Sequence, residues 1–150
     1  MKTIITIMTV VLMSTASFAQ DNHVQAILKN YLQLKDALVQ SDNELAAKQA
    51  SALSKEIEQA SELKGKETLL KAAQKISKTP DIEKQRAAFA ELSSNLWPIV
   101  KDEATTSQDL FYQYCPMKKS YWISAEAAIK NPYYGSKMLT CGNVSEKKTK

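Results

Sequence analysis

Glycine, histidine, cysteine and long apolar stretches are all scarce in these 150 residues, and each scarcity excludes something. Three glycines are too few for an all-β domain with many tight turns, so a mostly helical fold is expected. A single histidine, His23, leaves a catalytic triad or imidazole acid–base chemistry almost no material. There is no Gly-rich phosphate loop, no nucleophile elbow and no His-Glu-x-x-His, so no enzyme is expected. Glu56, Glu58 and Glu62 sit among lysines and read as a solvated helix face. After the N-terminal segment no hydrophobic run is long enough to cross a bilayer. The two cysteines are Cys115 and Cys141, each with a methionine within three positions: Cys115-Pro116-Met117 and Met138-Leu139-Thr140-Cys141.

What is present begins with a secretory pattern. Lys2 supplies the charged start, and residues 4–13 form an apolar run broken only by threonine. Ser17-Phe18-Ala19 then places small residues at −3 and −1 of a cleavage site. The expectation is a signal peptide over 1–19, cleaved after Ala19, and a soluble periplasmic protein with no membrane span. No cysteine at the cleavage point calls for a lipid anchor. Residues 20–142 are expected to form one helical domain, and 143–150 a disordered basic tail. Lys and Arg number 20 against 16 Asp and Glu, and without Lys2 the balance is 19 to 16, about +3. The lysines are spread along the chain, and Lys118-Lys119 and the basic tail are too short to argue for nucleic acid.

Four helices are readable. The first covers about residues 23–40, with Asp21 or Asn22 as cap and Val24, Ile27, Leu28, Tyr31, Leu34 and Leu38 on one face. Ser41-Asp42-Asn43-Glu44 fits a capping box for a second helix to about residue 62, with Leu45, Ala52, Leu53, Ile57 and Ala60 inward. Gly65 separates it from a third over about 67–77, carrying Leu69, Leu70, Ala73 and Ile76. Thr79-Pro80-Asp81 starts a fourth, with threonine as cap and proline at the first helical position. Ile82, Phe89, Leu92, Leu96, Ile99 and Val100 form its stripe, and Pro98 is expected to kink or end it near Trp97. Short loops make an antiparallel four-helix bundle the expected architecture.

Past the polar connector 101–108 the pattern changes. Leu110-Phe111-Tyr112-Gln113-Tyr114 reads as a strand and Tyr121-Trp122-Ile123 as its hairpin partner over a 116–120 turn. Asn131-Pro132-Tyr133-Tyr134-Gly135 reads as a turn. The fold class is therefore mostly α, with a small C-terminal Cys/aromatic irregular or β-hairpin unit. Two roles stand for its aromatics: a small core around the cysteines, or a binding surface formed by Tyr114, Tyr121, Trp122, Tyr133 and Tyr134 for a protein, peptide or glycan.

Four blocks, Tyr114-Cys115-Pro116-Met117, Tyr121-Trp122, Asn131-Pro132-Tyr133-Tyr134-Gly135 and Lys137-Met138-Leu139-Thr140-Cys141-Gly142, resemble an exported bacterial domain family of unknown function. Tyr31-Leu32-Gln33-Leu34-Lys35-Asp36-Ala37-Leu38 and Phe89-Ala90-Glu91-Leu92-Ser93 fit the same family. Its members occur alone or appended to periplasmic adaptor subunits of heavy-metal efflux systems of the resistance-nodulation-division type. The resemblance implies a link to metal efflux, with such an adaptor as partner, but carries over no catalytic residue. Cys115-Pro116-Met117 is also similar to the Cys-Pro-Met-His motif of small heavy-metal-binding modules, with Lys118 in place of the histidine.

Two readings of the sulfurs stay open. A Cys115–Cys141 disulfide is ordinary for an even cysteine count in an exported chain, and would contribute on the order of 3 kcal/mol by closing its loop. It would leave a non-enzymatic envelope interaction module whose aromatic surface the bridge supports. The alternative is a soft-metal site in which Cys115, Met117, Met138 and Cys141 bind Cu(I), since thiolates and thioethers select soft ions. Zinc fits less well, because methionine is not among its usual ligands. Oxidation and reduction would switch between the two states. The functional expectation is a periplasmic copper-binding or accessory protein linked to efflux or resistance.

Overall fold

The computed structural model describes residues 15–102 and 108–149. The expected signal-peptide run at 4–13 and most of the 101–108 connector lie outside the described residues. Among them the chain forms four helices followed by a three-stranded antiparallel sheet. Helix α1 spans Thr15–Val39, α2 Asn43–Gln59, α3 Lys66–Ser77 and α4 Ile82–Asp102. Strand β1 is Leu110–Cys115, β2 Ser120–Ser124 and β3 Asn143–Lys148, with a 3₁₀ turn at Gly135–Met138. Successive helices pack on one another, and α4 also packs on β2. No described helix is long and apolar enough to cross a membrane.

Helical periodicity placed the inward face of α1 correctly: Val24, Ile27, Leu28, Tyr31, Leu34 and Leu38 are all buried. The helix begins earlier than Asp21 or Asn22, at Thr15, and the expected cleavage position falls within it. Its far end explains why Ser41 does not cap α2. Ser41 has φ +58°, and Asp42 N–H donates to Ala37 O at 3.0 Å, the six-to-one closure of a helix ending in a left-handed residue. With Ser41 committed to terminating α1, Asp42 caps α2, its Oδ1 accepting from Leu45 N–H at 2.9 Å.

A two-residue shift occurs at α4. Asp81 Oδ1 accepts from Glu83 and Lys84 N–H at 2.9 and 3.2 Å, while Thr79 Oγ1 accepts from Asp81 N–H. The aspartate is the cap and the threonine positions it. Helix α2 ends at Gln59 rather than near residue 62, where Ala60 turns to an extended backbone. Of the two outcomes expected at Pro98, a kink or an end, the end does not occur: α4 continues to Asp102. The lost amide would have served the Ser94 carbonyl, and Ser94, Asn95 and Pro98 all lie on the exposed side, where water can satisfy that group. Leu96, Trp97 and Val100 on the opposite side stay in the core.

The expected hairpin forms, with Tyr112 opposite Ile123, Tyr114 opposite Tyr121 and Cys115 opposite Ser120. The tail does not conform to expectation. Residues 143–148 form β3, which pairs antiparallel with the other edge of β1 and gives the order β2-β1-β3. Its backbone supplies the ladder, so its polar composition is no obstacle to pairing. Its charges hold it down: Lys147 reaches Asp109 at 3.0 Å, Lys101 pairs with Glu146, and Lys148 Nζ donates to Val100 O.

Candidate functional site

One tyrosine joins the helices to the sheet. Tyr31 from α1 stacks on Phe89 of α4, ring centroids 5.0 Å apart. Its hydroxyl accepts from Ile123 N–H at 3.0 Å and lies 2.7 Å from Ser93 Oγ. Ser93 donates its own proton to Phe89 O at 2.7 Å, so Tyr31 is the donor to Ser93. The hydroxyl is then fully satisfied, and burial pushes its pKa well above the ordinary range. Tyr133 does the complementary work on β2, donating to Tyr121 O. Two tyrosine hydroxyls thus occupy β2 backbone groups that β1 does not use, which covers this sheet edge.

The segment from β2 to β3 is held by buried polar side chains. Gln113, fully buried in β1, donates from Nε2 to the carbonyls of Glu126, Ala127 and Ala128 at 2.9–3.4 Å. Asn131 donates from Nδ2 to Cys141 O at 2.7 Å, from its backbone to Leu139 O at 2.8 Å, and accepts Tyr133 N–H at 2.8 Å. Arg86 of α4 anchors the same turn from below. Its Nε donates to Pro132 O at 2.9 Å, and its Nη2 reaches Ser41 Oγ at 2.9 Å and Leu38 O at 3.3 Å. Gly135 (φ +56°) closes this junction, because a Cβ there would fall 2.6 Å from Ser41 Oγ and 2.8 Å from Val39 O.

Arg86 carries no sequence signal of its own, sitting inside an ordinary helical stripe. Its Nη1 also bonds Glu83 at 2.8 Å, and Lys118 reaches the other oxygen of that carboxylate at 3.1 Å. The Arg86 bond first and the Lys118 bond second hold the Glu83 carboxyl below its ordinary range. Lys118 Nζ also lies 5.3 Å from the centre of the Tyr134 ring. The turn after Cys115 is therefore fastened both to α4 and to the turn containing Tyr134.

The two sulfur motifs come to the same end of the sheet. Cys115 closes β1 and is 0% exposed, whereas Met117 in the following turn is 63% exposed. Tyr114 pairs with Asn143, and counting on along that ladder sets Gly142 across from Cys115 with Cys141 next to it. Gly142 lies close beneath the sheet, since a Cβ there would fall 2.8 Å from Tyr114 O and 2.9 Å from Trp122 Cη2. Met138 ends the 3₁₀ turn and is half-buried, as is Cys141. Both thiols are free. Among the described residues no three His, Cys, Asp or Glu side chains gather as a possible metal site, so a metal held at this end would have to draw on the thioethers. His23 lies 3.9 Å from Glu56, half-buried on the first helix, and not at this end.

The aromatic residues divide by depth. Trp122 (0% exposed) and Tyr133 (2%) are core, in edge-on contact with centroids 6.0 Å apart. Tyr114, Tyr121 and Tyr134 are half-buried. Trp97, Tyr112 and Tyr121 stack in series, neighbouring centroids 4.7 Å apart, and Tyr114 leans on Tyr121 at 4.6 Å. Any surface made from the five expected residues thus comes down to these three, with Trp122 and Tyr133 beneath it.

A helical protein with a small C-terminal sheet covering one part of its helices is the class this geometry defines. The chain belongs to a protein family of unknown function (DUF3347), which matches residues 27–108. That match takes in most of α1, all of α2 to α4, and stops ahead of β1, so both cysteines lie beyond it. Comparison with curated proteins and with solved structures returns no match.

Proposed function

We propose that this chain is an exported, periplasmic soft-metal-binding or accessory protein, chiefly for copper, that serves metal efflux or resistance without catalysing a reaction. The observation that carries the reading is the strand register. It sets Tyr114 opposite Asn143, so the chain leaves β1 at Cys115 and enters β3 two residues after Cys141 at the same end of the sheet, with neither thiol bridged. Cys115 and Cys141 supply thiolates, and Met117 and Met138 supply thioethers, a donor set that suits Cu(I). Met117, exposed, is the outermost donor and Cys115 the innermost. The signal peptide is removed after Ala19, the four helices form an antiparallel bundle carrying the sheet, and a metal-efflux adaptor is the partner.

An anaerobic Cu(I) competition titration of the reduced protein tests this. One-to-one binding is expected, weakening as pH falls because thiol protons compete with the metal, and lost in Cys115→Ser/Cys141→Ser. Met117→Leu keeps the packing of an exposed side chain and should weaken binding alone. Equal affinity in wild type and the double cysteine variant would overturn the proposal.

A further inference from the structure

The large apolar side chains that the described residues leave exposed are Met117, Leu139 and Val144, at 63%, 39% and 40%. Single exposed hydrophobics are ordinary on protein surfaces, but these three all belong to one end of one small unit. The turn bearing Met117 neighbours the 131–135 turn, because Lys118 lies over the Tyr134 ring. Leu139 O is tied to Asn131, and Val144 pairs with Gln113 beside the Tyr114–Asn143 pair. Tyr134 and Met138, both half-buried, belong to the same segment as Leu139.

Lysines outnumber carboxylates along this stretch. No carboxylate occurs from Cys115 to Ala125, nor from Ala127 to Ser145, while those stretches carry Lys118, Lys119, Lys130 and Lys137. Glu83 takes Lys118 and Glu126 takes Lys130. Lys119 and Lys137 are exposed and, among the described residues, make no ion pair. Lys119 is also held at φ +49° in the turn.

We propose that this sheet end is a docking surface for an acidic segment of a protein partner. Apolar side chains of that segment rest on Met117 and Leu139, and its carboxylates meet Lys119 and Lys137. Complementary charge steers and orients such a contact, and the apolar anchors supply its affinity. Two unpaired lysines fall short of the cluster of basic residues that holds a protein on an anionic bilayer, which favours a protein segment over a lipid surface.

The surface shares Met117 with the proposed metal site, so the test is run with a copper chelator present, which keeps its outcome separate from that of the Cu(I) titration. The probe is a synthetic peptide alternating Glu with Leu, with its Lys-for-Glu counterpart as control and phosphatidylglycerol–phosphatidylcholine vesicles as a third arm. Fluorescence anisotropy should show the acidic peptide binding and weakening with added salt. Affinity should fall about tenfold in Lys119→Glu/Lys137→Glu and by a similar factor in Met117→Ser/Leu139→Ser. All four positions are on the outside of turns, and an unchanged circular dichroism spectrum verifies folding. Equal binding of the acidic and basic peptides, or no loss in either variant, overturns the proposal. So does tighter binding to the vesicles, or sedimentation showing that the surface is closed by a second copy of the chain.

Discussion

Replacing Tyr31 with phenylalanine removes one oxygen and tests how the helices are joined to the sheet. The ring is retained, so its stack on Phe89 at 5.0 Å survives. Two hydrogen bonds are lost. Ser93 keeps a partner, since it already donates to Phe89 O, and its loss is that of one ordinary hydrogen bond, about 1 kcal/mol. Ile123 N–H is worse placed, because it is buried at a strand edge with the Tyr31 hydroxyl as its acceptor. A buried donor left unpaired costs about 1–3 kcal/mol. The variant should therefore be destabilised by about 2–4 kcal/mol. At about 2.1 cal/mol/K of unfolding entropy per residue, and about 130 residues in the described structure, that lowers Tm by roughly 7–15 °C.

Thermal and urea denaturation followed by circular dichroism measures the loss, and an unchanged urea slope shows that the same surface is exposed on unfolding. Hydrogen exchange adds a local reading: the Ile123 amide should lose protection while amides within α2 and α3 keep theirs. Tyr114→Phe serves as control at a half-buried position and should cost under about 0.5 kcal/mol. A Tm change below about 2 °C with the Ile123 amide still protected would refute the argument, since β2 would then not depend on the hydroxyl.

Two further predictions concern the junction beneath the candidate site. Gly135→Ala forces a side chain into a left-handed backbone and within 3 Å of Ser41 Oγ and Val39 O, so a loss of more than about 2 kcal/mol is expected in urea denaturation, against almost none for the exposed Ser136→Ala. An equal effect of the two would show that the close approach is relieved elsewhere. For Glu83 the folded pKa is lowered from 4.5 by Arg86 and then Lys118. Its contribution to stability is thus present above pH 4.5 and is lost as pH falls through the lower folded value. The carboxylate is more than half exposed, so solvent screening keeps the gain below about 1 kcal/mol at neutral pH. Glu83→Gln should be slightly less stable than wild type at pH 7 and converge with it near pH 3; a constant difference across that range would refute the linkage.

Hydrophobic periodicity was sufficient for the helices, because each buries one stripe and the spacing of that stripe is a local property. The hairpin was legible for a similar reason, through two aromatic runs separated by a Pro-containing turn. The caps slipped by one residue at α2 and by two at α4: Ser41 looks like a cap in isolation, but its backbone is used to end α1. Pro98 looks like a stop, yet whether it breaks a helix depends on which side of that helix meets water. The sulfur motifs of the candidate site could be found by reading along the chain. Their depth could not, and neither could the core positions of Trp122 and Tyr133, since composition does not say which aromatic is covered.

The residues of this chain fix by themselves the four amphipathic helices, the hairpin and a C-terminal stretch with lysines and almost no acid, since all of these follow from side-chain type and short-range spacing. Tertiary structure decided that the polar tail becomes β3, because a strand edge recruits backbone groups with little regard to side chains. It also decided that Arg86 and Asn131 pin two distant turns together, and that Cys115 and Cys141 lie at the same end of a sheet. Those outcomes depend on which surfaces remain for the last forty residues once the helices have packed, and that is a property of the folded whole.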